Sequence, residues 1–375
     1  MFVSNIPLSF SCNLHTLLKK GETRTFRALV RPTWPGTFFW RFGYQNAVDS
    51  TWDDGSVSHA NLPGGHFRIR WAEAAACDGN QAVAERHSVP FCGTQSADVC
   101  PGAFIASDPV QLSVAPGGYV MFAWCLEALE NNCVLPGTPD SMALCDVSEG
   151  DSRHGAPLRR VTDDTYDCCT LPCFWQADRD APRTFAFIGD SITQGCQTRT
   201  DMQEQWAARI IKGLPCDIAG LNVGLGYARA QDAATDGAWL QKLSGADVVN
   251  VCLGVNDIFQ MREEEDHAAV LIRNLTAIVR LIRQHAPRTR VVLCTVPPFS
   301  MQGDEERVRR QVNARIREDR LGADAVFDME LLAVPGTEGL ARFGDHPDGI
   351  GGAVVAGEYL SHFLPDHRHI LFPQL

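Results

Sequence analysis

The sequence predicts two folds in one chain: an all-β sandwich over residues 1–145 and an α/β domain on a parallel sheet over 183–375, joined by a connecting segment at 146–182. Three observations carry this. Short β-type runs punctuated by Gly and Pro fill the stretch from Thr23 to Trp124. After Arg183 the pattern changes to apolar strands alternating with helically spaced segments. The strand Phe185-Ala186-Phe187-Ile188 stops at Gly189-Asp190-Ser191 and turns polar.

In the first part, Thr25 to Val30, Phe38 to Phe42, the strictly alternating His66 to Trp71, Val110 to Val114 and Tyr119 to Trp124 read as strands. Repeated short strands of this kind build sandwiches. Trp34, Trp40, Trp71 and Trp124 suit either the sandwich core or a sugar-stacking platform, and the alternation around Trp40 favours the core. From about Leu126 to Pro182 periodicity fades while Gly, Pro, Asp and Cys accumulate. The expectation there is an ordered connection anchored at Cys173-Phe174-Trp175, with disorder as the alternative for Asp146 to Arg160.

Beyond Arg183, Gln205 to Ile211 has helical spacing and Val248 to Leu253 reads as a buried strand. Ala268 to Ile282 carries apolar residues on one helical face, and Pro287 ends that helix. Val291 to Val296 is another continuous apolar strand closed by Pro297-Pro298, and Ala325 to Asp328 is the last strand. Continuous apolar strands separated by helices imply a parallel sheet covered on both faces.

Four loops of this domain can be combined into one site. Ser191 follows a strand end, where open α/β sheets bind ligands. Asn222-Val223-Gly224-Leu225-Gly226-Tyr227, Gly254-Val255-Asn256-Asp257 and Asp345-His346-Pro347 supply the rest. An ester hydrolase needs a hydroxyl nucleophile, a base within reach of it and donors aimed at the oxyanion. Ser191, His346, and a loop N–H near Gly226 with the Asn256 amide fill those roles. Alone, Ser191 could equally be the cap of the following helix. Asp190 and Asp257 are expected to shape loops, and Arg229 to be ion-paired or solvated. Glu263 to Asp266 reads as an acidic first helical turn.

G-D-S-I-T-Q-G, N-V-G-L-G-Y, G-V-N-D and D-H-P, in this order, resemble the blocks of the SGNH (GDSL-type) hydrolases from about Arg183 to the end. The resemblance implies a flavodoxin-like three-layer α/β/α domain that hydrolyses esters or thioesters. Ser191 would be its nucleophile, Asn256 an oxyanion donor and His346 the general base. Two departures stand out. The family's donor glycine falls at Tyr227 here, with Gly226 nearest, and the acid expected three residues before His346 is Phe343. Asp345, adjacent to His346, diverges from it, so a Ser191–His346 dyad steered by a carbonyl or a distant acid is expected. F-F-W-R-F-G and S-D-P-V-Q-L-S-V-A-P-G-G look like the jelly-roll-type module that precedes the hydrolase domain in some bacterial SGNH proteins.

Composition sets outer bounds. A net charge of −12 argues against nucleic-acid or anionic-membrane partners. There is no run of about 20 apolar residues for a membrane span. The start Met1-Phe2-Val3 lacks a basic stretch and a cleavage site, so the 14 cysteines are expected as reduced thiols in the cytoplasm. Cys92 and Cys100 could pair in an oxidising compartment, Cys145, Cys168, Cys169 and Cys173 are a weak match to zinc spacing, and Cys252 and Cys294 suit the core. No cofactor or metal is expected. The function expected is a serine esterase removing a small acyl group, acetyl foremost, from a carbohydrate, so that the partner is a small-molecule or oligosaccharide ester. A lysophospholipase or thioesterase is the alternative in the same chemistry, and a carbohydrate-binding protein with an inactive hydrolase domain the alternative outside it.

Overall fold

The structure is a computed structural model that describes residues 1–50, 61–139, 141–153, 159–161, 168–259, 266–332 and 346–373. The chain divides into two compact units, one of Met1–Asp49 with Asn61–Pro182 and one of Ser50–Ala60 with Arg183–Leu375.

The first unit is built on two larger antiparallel sheets. One runs Phe2–Ser4, Phe174–Asp178, Gly36–Gln45, Phe104–Ala106, with Val110–Val114 also on Gly36–Gln45. The other runs Arg159–Arg160, Leu144–Glu149, Thr23–Val30, Tyr119–Ala128, Phe67–Cys77, Val83–Ser88. Along Tyr119–Ala128, Val120, Phe122, Trp124 and Leu126 point into the main core, while Met121, Ala123 and Cys125 join smaller apolar clusters. This is the period of two that a pleated strand imposes. Trp40, Trp71 and Trp124 are buried core residues, and Trp34 lies partly exposed under the Arg179 guanidinium.

The segment 146–182, read from sequence as a connection, adds strands to both sheets. Phe174–Asp178 pairs with Gly36–Gln45, and Trp175 stacks on Phe10 with centroids 5.5 Å apart. Two buried polar needs hold it there: the Trp175 indole donates to Pro172 O at 2.9 Å and the Trp124 indole to Thr170 O at 2.8 Å. Of the stretch 146–160, residues 154–158 lie outside the described ones.

The second unit is a parallel sheet of β1 (Arg183–Gly189), β2 (Ile218–Asn222), β3 (Val248–Cys252), β4 (Arg290–Cys294) and β5 (Ala325–Phe327), in the order β2-β1-β3-β4-β5. This is the flavodoxin-like, doubly wound order, whose direction of winding reverses between β1 and β3. β2 and β3 are buried at every residue, as strands covered on both faces are, and the Asn250 amide in β3 donates to Ala186 O at 3.1 Å. The helices used below are α1 (Ser191–Gln194), α2 (Trp206–Gly213), α3 (Ala230–Ala233), α4 (Val255–Phe259), α5 (His267–His285), α6 (Gly303–Asp319) and α7 (Gly349–Glu358). α5 buries Leu271, Leu275, Ile278, Val279 and Ile282 on one face, as their spacing requires, and stops two residues before Pro287. Cys252 and Cys294 are core residues at the ends of β3 and β4. Among the described residues no helix is long and apolar enough to cross a membrane.

Candidate active site

Winding places the C-terminal ends of β1 and β3 side by side, so the loops after them meet at the reversal point of the sheet. Ser191 opens α1 directly after β1. It is not the helix cap. Asp190 is, in an extended conformation, with its carboxylate accepting the Ile192 N–H at 3.0 Å. Ser191 is therefore left for other work, and its Oγ stands 2.8 Å from His346 Nε2. That separation is a full hydrogen bond between a hydroxyl and a potential base.

His346 precedes α7 by three residues. Asp348 caps that helix, accepting the Ile350 and Gly351 N–H groups at 2.9 and 3.0 Å. Phe299, just past β4, meets the imidazole edge to face with centroids 4.9 Å apart, and Phe259 meets Phe299 at 5.2 Å. Asp345 and Phe343 lie outside the described residues.

The two remaining loops are tied to α1 and to each other, the glycine loop through Gly226 to Gln194 and α4 through Asn256 to Ala228. The Ser191 N–H has no hydrogen-bond partner among the described residues. Asn256, in α4, donates through Nδ2 to Ala228 O at 3.0 Å, and the second hydrogen of that amide has no partner recorded among them. Gly226 departs from expectation. Its N–H is donated to the Gln194 Oε1 at 2.6 Å, so in this geometry it ties the glycine loop to α1. Gly224 N–H donates likewise to Asn222 Oδ1 at 2.8 Å. Tyr227 follows in the left-handed region at φ 61 and is half-exposed.

The acidic residues around the site are structural. Asp257 accepts the Ala230 N–H at 2.8 Å, holding the start of α3. Arg229 turns inward and pairs with buried Asp232, which also accepts the Ser50 hydroxyl at 2.7 Å. The Asp190 carboxyl is fully buried and its Oδ2 has no hydrogen-bond partner among the described residues, so burial pushes its pKa up to about 7. Burial likewise pushes the carboxyl of Asp257 up to about 6. Among the described residues no group of three or more His, Cys, Asp or Glu side chains could hold a metal ion.

Sequence reasoning missed Gln194, Phe259 and Phe299. Gln194 sits inside the first block, five residues after the end of β1, and a polar side chain buried there had to find a hydrogen-bond partner. Phe299 follows Pro297-Pro298 at a strand's C-terminal end, which is where ligands collect in this architecture.

Residues 187–353 match the family model described as GDSL-like Lipase/Acylhydrolase. No curated protein sequence matches the chain. Among solved structures the chain is similar to a family two carbohydrate esterase from Clostridium thermocellum in complex with cellohexaose, at 13% identity and TM-score 0.43, over 98% of this chain and 99% of that one. It is similar to a family two carbohydrate esterase from Cellvibrio japonicus at 14% identity and TM-score 0.39, over 99% and 97%. A carbohydrate esterase family 3 structure from Talaromyces cellulolyticus is similar over 50% of this chain and 98% of its own, at 20% identity and TM-score 0.38. Over residues 187–353, which hold most of the parallel sheet and its Gly-Asp-Ser turn, the chain is similar to the GDSL-like lipase/acylhydrolases that this model describes, and a β-sandwich precedes that stretch in sequence.

Proposed function

We propose that the protein is a serine esterase that removes a small acyl group, acetyl foremost, from a carbohydrate. The observation carrying this is the 2.8 Å contact between Ser191 Oγ and His346 Nε2. In the reaction His346 Nε2 accepts the Ser191 proton as Oγ attacks the acyl carbon. The resulting oxyanion accepts hydrogen bonds from the Ser191 N–H and from the free hydrogen of the Asn256 amide. The Gly226 N–H joins them only when Gln194 releases it. Collapse of the intermediate expels the sugar hydroxyl, which takes its proton from His346, and leaves acyl-Ser191. Water, deprotonated by His346, then frees the acid and restores the hydroxyl.

A carbohydrate alcohol is supported by the aromatic side chains at the base. Phe259 is 44% exposed and, with Phe299, forms an aromatic edge beside His346 on which the apolar face of a sugar can stack. The test is hydrolysis of p-nitrophenyl acetate, butyrate and longer esters and of acetylated oligosaccharides, with Ser191→Ala as control. Preference for acetate, lost in Ser191→Ala, is expected. Rates that rise beyond about four carbons would give the protein to lipid or thioester substrates. Sugar binding without turnover would make it a binding protein.

A further inference from the structure

The segment carrying His346 is held from the side of the nucleophile. After α1 the chain closes a turn on Gly195, whose carbonyl accepts the Thr198 N–H at 3.0 Å and hydroxyl at 2.6 Å. It then runs through Arg199 to Glu204. The Glu204 carboxylate is nearly buried and takes the Arg199 guanidinium on both oxygens, which holds its pKa below the usual carboxylate range. Arg209, one turn into α2, reaches back with Nε to Glu204 O at 2.9 Å and across with Nη2 to Gly349 O at 3.2 Å. One guanidinium thus joins the loop after Ser191 to the first residue of α7.

Gly349 and Gly352 of α7 leave room for this contact. A Cβ on Gly349 would stand 2.8 Å from the Glu204 carboxyl carbon, and one on Gly352 would stand 2.3 Å from the Glu204 carbonyl oxygen. Any side chain at Gly352 must push the helix off the loop. Between α7 and His346 stand Pro347, with a restricted φ, and the capping Asp348, so a displacement at Gly349 passes to the imidazole with little slack.

We propose that Glu204 and Arg209 are positioning residues that set the separation between nucleophile and base. The proposal rests on the esterase reading above, and assigns to this bracket the alignment of His346 Nε2 on the Ser191 hydroxyl. Misplacement of a base by about 1 Å costs on the order of a hundredfold in rate. Arg209→Met is therefore expected to lower kcat on p-nitrophenyl acetate about ten- to a hundredfold with KM within about twofold. The rate at which an organophosphonate ester labels Ser191 should fall by the same factor. Arg209→Lys, able to reach one carbonyl, should recover part of both. Gly352→Ala should reproduce the loss while removing no polar group.

Rates are taken per folded molecule, with the folded fraction read from thermal unfolding. If Arg209→Met and Gly352→Ala turn over and label like the unaltered protein on that basis, the bracket is only structural and the proposal fails. Ser191→Ala, run alongside, separates the two readings. Hydrolysis surviving in Ser191→Ala overturns the esterase assignment itself, whereas hydrolysis lost there but intact in Arg209→Met overturns the bracket alone.

Discussion

At Asp190 the chain places a fully buried carboxyl one residue before Ser191, and uses it as a helix cap. Its pKa of about 7 gives a signed prediction. Between the ordinary carboxylate value and 7, the folded state holds a proton that the unfolded state has lost, so stability falls as pH rises through that window. Each such group contributes at most about 1.4 kcal/mol per pH unit. Asp190→Asn keeps the cap acceptor and removes the ionisation. Its denaturation midpoint, measured against the unaltered protein from pH 4 to 8, should gain relative to it as pH rises, and a constant difference would contradict the buried, protonated acid. Asn256 makes a second prediction at this scale. As an oxyanion donor its replacement by Ala should raise the barrier by about 2.7–4 kcal/mol, read as a fall in kcat with KM little changed. Ser191, Asn256 and His346 were singled out by residue type and block order, because acyl transfer demands such groups, and the fold brings the serine and the histidine within 2.8 Å. Gln194 was not, because nothing in its type says that its acceptor would be aimed at the Gly226 N–H.

Elements in the α/β unit follow their local patterns closely. β3 and β4 are short apolar runs, and α5 is a 19-residue amphipathic helix capped by Asp266, whose carboxylate accepts the Ala269 N–H. The acidic run read as a first helical turn lies mostly outside the described residues, and its last member, Asp266, is the cap rather than a turn residue. At α7, Asp348 satisfies two N–H groups. Asp348→Ala should cost about 0.5–2 kcal/mol of stability, measured by denaturant unfolding, and an unchanged midpoint would show that the cap carries nothing. The sandwich strands with clean alternation were equally readable. Phe174–Asp178 was hidden by the Cys-rich chain before it and the charged, Pro-ending chain after it, though Trp175 is completely buried.

For the whole molecule, the position of that late strand matters most. It lies between Phe2–Ser4 and Gly36–Gln45, so the sandwich closes only with residues near 180 in place. A fragment of residues 1–145 should therefore show no cooperative thermal transition, having lost Trp175 and the strand that carries it. Cooperative melting of that fragment, followed by calorimetry, would contradict this account. In the full chain Trp175→Ala should cost about 3–5 kcal/mol, as expected for removing a large buried aromatic.

Block order and periodicity alone determined that an α/β domain on a parallel sheet follows a β-rich one, and which serine, asparagine and histidine to examine, since those signals are local in the chain. Only the tertiary structure decided what surrounds them: that the Gly226 N–H is held by Gln194, that Phe299 stands against His346, and that Arg209 spans two carbonyls 145 residues apart in sequence, 204 and 349. Such pairings depend on the winding of the sheet, which brings distant loops to one edge, and no local pattern of side chains records where that edge will lie.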